Sequence, residues 1–209
     1  MFLYPQAQPR LSQFPKPNGS VIGDYERLLL PSKSVLGLIA KHGRPYYIKT
    51  DIEHYDDAIL KALFMGNVRP PYISAESHCI GVFSLLVGLG GYNAFKLVDG
   101  ATVSSKYARH KIRVNEMIES YSFCHHSAGP FGEDLLGDWL PADKFFSYLA
   151  IEGLGWKDIH ASNVVELNPS AKAKPSARKF AELFAQLLIK PRLPTSTWKV
   201  VAKAYRRIH

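Results

Sequence analysis

Residues 45–76 read PYYIKTDIEHYDDAILKALFMGNVRPPYISAE. Two short apolar runs, at 46–49 and 72–75, each lead to a carboxylate, and an amphipathic segment lies between them. Ala58, Ile59, Ala62 and Leu63 recur at helical spacing, with Phe64 one position off. Asp56 and Asp57 fall in the first turn, where negative charge suits the helix dipole, and Gly66-Asn67 stops the pattern. The layout predicts a strand, a crossover helix and a second, parallel strand, hence an α/β fold. Asp51, Glu53 and Glu76 then stand at the carboxyl ends of the strands, where open α/β sheets hold their ligands.

Outward from this stretch the signals vary in strength. Upstream, 32–43 reads as a short helix capped at Ser32 or Ser34 and ended by Gly43, and 25–30 as an edge strand. Residues 1–24, with Pro5, Pro9, Pro15, Pro17, Gly19 and Gly23, read as an extended segment. Downstream, 79–89 is a nearly all-apolar run read as a buried helix stopped by Gly90-Gly91, and 93–99 (NAFKLVD) is a third strand. Residues 101–153 hold a polar, aromatic-rich loop and then a helix at 142–152. Residues 156–161 (WKDIHA) read as a final strand or a loop. The clearest helix is 176–189, with a Ser cap after Pro175 and Phe180, Leu183, Phe184, Leu187 and Leu188 on one face. A basic amphipathic segment follows at 197–208.

The chain has 209 residues, is 46% hydrophobic and 21% charged, and fits one soluble domain with an appendage. No apolar run is long enough to span a bilayer, and the start, MFLYPQAQPR, lacks the pattern of a signal peptide. Cys79 and Cys124 sit in contexts that read as reduced and structural, which suits a cytoplasmic location. The net charge of +8 is misleading as a whole-chain property, because residues 171–209 carry +9 and the rest sums to −1. A basic tail of this kind attracts an acidic partner (a nucleic acid, an anionic membrane surface or another protein) or is a solvated helix face. The expected organisation is therefore an extended segment at 1–24, an α/β domain at 25–170 and a basic helical tail at 171–209.

Three separated blocks, PYYIKTDIEHYD (45–56), RPPYISAE (69–76) and LGGYNAFKLV (89–98), match in order a pattern of the FkbM family of S-adenosylmethionine-dependent methyltransferases. The chain resembles that family over roughly residues 25–161, with 127–140 and 153–161 also similar to segments of some members. The resemblance implies a Rossmann-like methyltransferase sheet with flanking helices, S-adenosylmethionine as cofactor, and O-methyl transfer to a small molecule or sugar. Two departures stand out. His54 occupies the place where the family pattern has Gly. A strand, Gly-rich turn and helix, whose backbone N–H groups hold the cofactor's carboxylate end, is not recognisable before Pro45. The glycine-dense stretch at 88–91 follows a helix and leads into a strand, the reverse of the order required. The chain thus reads as the C-terminal part of such a fold, an incomplete sheet that calls for a missing N-terminal half or a second chain.

On this reading Asp51 and Glu53, two apart and sharing a face in strand geometry, are the candidates to take or steer the proton of an acceptor hydroxyl. Glu76 and His54 are candidates for substrate contact. The bland alternative is that Asp51 and Glu53 cap the following helix. A metal cluster of Asp51, Glu53 and His54 is disfavoured, because one His with carboxylates suits Mg or Mn poorly and Zn only partly. A metal-dependent nuclease built on Asp51, Glu53 and Glu76 is weaker still, since the basic charge lies far from them in sequence. His125-His126 beside Cys124 reads as a polar loop, and Lys49 and Lys96 as side chains that snorkel at sheet edges. The rival to an enzyme is a non-catalytic interaction module with an exposed sheet edge.

Overall fold

The computed structural model describes residues 2–5, 25–28, 31–52, 54–124, 127–172 and 175–189. Strands β1 (Phe2–Pro5) and β2 (Tyr25–Leu28) pair antiparallel with each other. The strand expected at a sheet edge therefore forms part of a separate two-stranded ribbon. Helix α1 (Val35–His42) starts at Ser34, whose hydroxyl accepts a bond from the Gly37 N–H, and ends at Gly43, which takes φ 91°.

The deciding stretch folds as its spacing predicts: β3 (Tyr47–Thr50), α2 (Asp56–Met65) and β4 (Tyr72–Glu76). Asn67, at φ 59°, closes α2 with a Schellman turn: the Val68 N–H reaches the Leu63 carbonyl and the Asn67 N–H that of Phe64. Then come α3 (Ile80–Gly88) and β5 (Ala94–Asp99). The segment read as a long loop instead contains a short helix α4 (Val103–Lys106), a hairpin of β6 (His110–Val114) and β7 (Met117–Tyr121), and a two-residue strand β8 (Leu140–Pro141). Helix α5 (Ala142–Glu152) and β9 (Lys157–Ser162) follow, and α6 (Ala177–Phe184) runs on into a π-type turn, Ala185–Ile189.

The main sheet has the order β3-β4-β9-β5-β8. β3 and β4 are parallel, Tyr47 opposite Tyr72 and Thr50 opposite Ala75. β9 runs antiparallel between β4 and β5, and β8 antiparallel along the outer side of β5. β3, β4 and β5 thus point the same way, but the sheet is mixed, not mostly parallel. The difference comes from residues 157–162: Ile159 and Ala161 are buried in the main core, while His160 and Ser162 are buried on the alternate positions. Such a segment is stable only where both faces are covered, which is the centre of the sheet.

Two clusters use the two faces. Leu60, Leu63 and Phe64 of α2, Val82, Phe83 and Leu86 of α3, and Phe145 and Leu149 of α5 pack against Ile73, Ala75, Phe95 and Ile159. Tyr72, Ala94 and Val98 face Val103, Tyr107, Leu135 and Trp139 on the other side. The alternation Tyr72/Ile73 and Ala94/Phe95 is the period of two that a strand imposes. Three apolar residues of α6 and its extension, Phe180, Phe184 and Leu187, are exposed. Among the described residues no helix is long and apolar enough to cross a membrane. The expected segment at 197–208, most of 1–24, Glu53 and His125-His126 lie outside the described residues.

Candidate functional site

The carboxyl ends of β3 and β4 and the start of β9 bring together charged side chains from four places in the chain. Lys49, the third residue of β3, reaches Asp158 of β9, with Nζ 3.0 Å from both carboxylate oxygens. The same ammonium lies 3.1 Å from Oδ2 of Asp51. Lys49 therefore does not snorkel to water but joins two carboxylates. Burial alone would push its ammonium toward the neutral form. Asp158 and then Asp51 outweigh that, and its pKa stands above the ordinary lysine value. Asp158 is raised in turn: burial lifts its pKa above the ordinary carboxylate range, Lys49 opposes the shift, and Asp51 and Asp56 add to it.

Asp51 is half-exposed. It engages Lys49, while the first turn of α2 is served by Asp57, whose Oδ1 accepts the Ala58 N–H at 2.8 Å. The cap residue of that helix, Tyr55, makes no side-chain cap bond. Asp56, the first residue of α2, is fully buried. Neither of its carboxylate oxygens has a hydrogen-bond partner among the described residues. Nδ1 of His78 stands 3.5 Å from Asp56 Oδ2. Glu76, at the end of β4, sits directly opposite Asp158 in the sheet register. Asp56, Glu76 and His78 each offer one ligand atom, and these atoms lie within 4.8 Å of one another.

The loop carrying Glu76 and His78 is held firmly. The Ser77 N–H donates to the Lys157 carbonyl at 2.7 Å and its hydroxyl to the Gly155 carbonyl at 3.2 Å. Lys157 itself is buried and donates to the Glu152 and Gly153 carbonyls at the end of α5. The start of β9 and the end of β4 are thereby locked together.

His54 has φ 73°. It adopts the left-handed backbone that a glycine gives freely, so a histidine here does not block the turn. Its ring meets that of His78 edge-on at 5.1 Å. Lys96 also departs from the snorkelling expectation. It is buried, donates to the Leu135 carbonyl, and lies 4.9 Å from the centre of the Trp139 ring. Burial lowers its pKa to about 8, with Asp138 partly opposing. It lines a separate open cavity of about 320 Å³ with Asp99, Thr102 and Tyr107. Cys79 and Cys124 are both free thiols, the second exposed.

Of the residues singled out in the sequence, Asp51, Glu76 and His54 thus lie around one cluster. Lys49, Asp56, His78 and Asp158 join it without having been assigned a role there. Asp56 closes the first motif block and reads only as a dipole-favoured helix start. Asp158 is visible in WKDIHA, but its place depends on β9 inserting beside β4. Comparison with family models, curated proteins and solved structures gives no match to this chain.

Proposed function

We propose that this chain carries the acceptor side of an S-adenosylmethionine-dependent methyltransferase of the FkbM kind, acting on a hydroxyl of a small molecule or sugar. The observation that carries the reading is the convergence of Asp51, Asp56 and Glu76, from two separate motif blocks, at the carboxyl ends of β3 and β4. Ligands of open α/β sheets sit in that crevice. The strands β3, β4 and β5 run one way, with β9 antiparallel between β4 and β5, which is compatible with the second half of a doubly wound sheet continuing beyond β3.

In this reading Asp51 takes or steers the proton of the acceptor hydroxyl, and Lys49 fixes its orientation from 3.1 Å. Glu53, the second carboxylate assigned to that task, lies outside the described residues. Asp51 and Asp158 outnumber the Lys49 ammonium they share, which suits a positively charged methyl donor. The described residues do not fit the whole cofactor, however. α3 runs through the turn at Gly90 and Gly91 into β5, and among the described residues nothing supplies the strand, Gly-rich turn and helix needed for the cofactor's carboxylate end. A second reading, an interaction module, is favoured by that same observation and by β3 having one strand neighbour among the described residues.

Calorimetric titration with S-adenosylmethionine to millimolar concentration separates the two. Saturable binding, or binding that appears once a polypeptide bearing the cofactor turn is added, supports the methyltransferase reading. Absence of heat in both arms leaves the interaction module.

A further inference from the structure

Asp56 presents a physical problem that its neighbours do not solve. A carboxylate removed from water is tolerated when it is paired and hydrogen-bonded, and Asp56 is fully buried with both oxygens lacking a hydrogen-bond partner among the described residues. His78 is the nearest candidate, but its Nδ1 stands 3.5 Å away and is itself a buried atom without a hydrogen bond. Charge-assisted bonds of this type close to about 2.7–2.9 Å. The surroundings add negative charge: Asp51 and Asp158 share the Lys49 ammonium, and Asp56 itself adds to the effect of burial in raising the Asp158 pKa.

We propose that Asp56, Glu76 and His78 form a binding site for one divalent transition-metal cation, with Zn²⁺ as the type. The three residues come from the start of a ten-residue helix, the end of a strand and the loop after it, and their ligand atoms converge within 4.8 Å. Zn²⁺ takes imidazole nitrogen and carboxylate oxygen at about 2.0–2.2 Å, and three protein ligands leave a fourth position for water or a substrate atom. The imidazole disfavours Mg²⁺ and Ca²⁺, which ask for oxygen donors, and the affinity order for divalent metals puts Zn²⁺ above Mn²⁺. His54, edge-on to His78, orients that ring from outside the donor set. The set has the same donor types, two carboxylates and one imidazole, as the Asp51, Glu53 and His54 combination disfavoured from the sequence. What favours it is the buried Asp56 carboxylate without a hydrogen bond among the described residues and the convergence of the three ligand atoms. It does not depend on the methyltransferase reading.

The test uses the full chain, stripped with a chelator and titrated with Zn²⁺ against a chromophoric competitor, and with Co²⁺ for its visible absorption. The expected result is one equivalent bound, a Co²⁺ spectrum of low coordination number, and affinity lower in Asp56→Asn and in His78→Gln by at least the roughly 10–100-fold that losing an outer-shell partner of a ligand costs. Asp57→Asn, which alters the neighbouring carboxylate outside the set, should bind as the unaltered chain does. The proposal is overturned if the chain takes up neither metal, or if both variants retain full affinity. Should a variant fail to fold, as judged by circular dichroism, the Co²⁺ complex of the unaltered chain decides. A paramagnetically shifted imidazole resonance supports the site, and its absence contradicts it.

Discussion

His54, at the position where the resembled pattern has glycine, takes a backbone conformation that glycine favours. At φ 73° an L-residue pays about 1 kcal/mol relative to the right-handed regions, although His tolerates it better than most. The chain between β3 and α2 therefore carries some strain at His54. His54→Gly is expected to raise stability by about 1 kcal/mol in urea unfolding, since the side chain is exposed and its ring contact among the described residues is an edge-on one with His78. A loss of stability would mean that this contact outweighs the backbone strain. Residue roles were legible from the sequence only where they depended on near neighbours. The acids of the first turn of α2 and the caps at Ser34 and Ser176 are of that kind. The pairing of Lys49 with Asp158, 109 positions away, is not.

At the scale of elements, the helices and strands within residues 35–99 follow their spacing because each carries its own stop signal. The hairpin of β6 and β7 was missed because its turn is Asn115-Glu116, both at positive φ, without the glycine that usually marks such a turn. β9 was left open between strand and loop because six residues with a Lys, an Asp and a His do not announce a central strand. Its burial has a measurable consequence. His160 is buried in β9, and burial, with smaller contributions from Lys49 and Lys96, pushes its pKa down to about 3. The unfolded chain protonates this histidine near pH 6.5 and the folded chain does not. Between those values the unfolded state binds more protons, so this group's contribution falls as the pH drops below about 6.5, by at most about 1.4 kcal/mol per unit. Urea midpoints at pH 7 and pH 5 should drop less in His160→Gln than in the unaltered chain. Equal drops in both would show that His160 does not carry the effect.

For the whole molecule, the α/β class and the position of the carboxylates at strand ends follow from residues 45–76, whereas the mixed direction of the sheet does not. Sheet order is decided by which segment can be covered on both faces, and that is a property of the assembled helices and not of the segment. The same limit applies to the charged cluster: Asp51 and Glu76 were visible as strand ends, but Asp56, His78 and Asp158 reach them only through the tertiary fold. The basic tail adds charge remote in sequence from this cluster and does not explain it. We propose that cofactor and acceptor meet at the carboxyl edge of β3 and β4. Backbone amide NMR during titration with S-adenosylmethionine tests it most directly. Shifts concentrated at Thr50, Asp51, Glu76 and Ser77 are the expected result. Shifts confined to the Lys96, Thr102 and Tyr107 cavity, or none at millimolar cofactor even after a polypeptide bearing the cofactor turn is added, would contradict it.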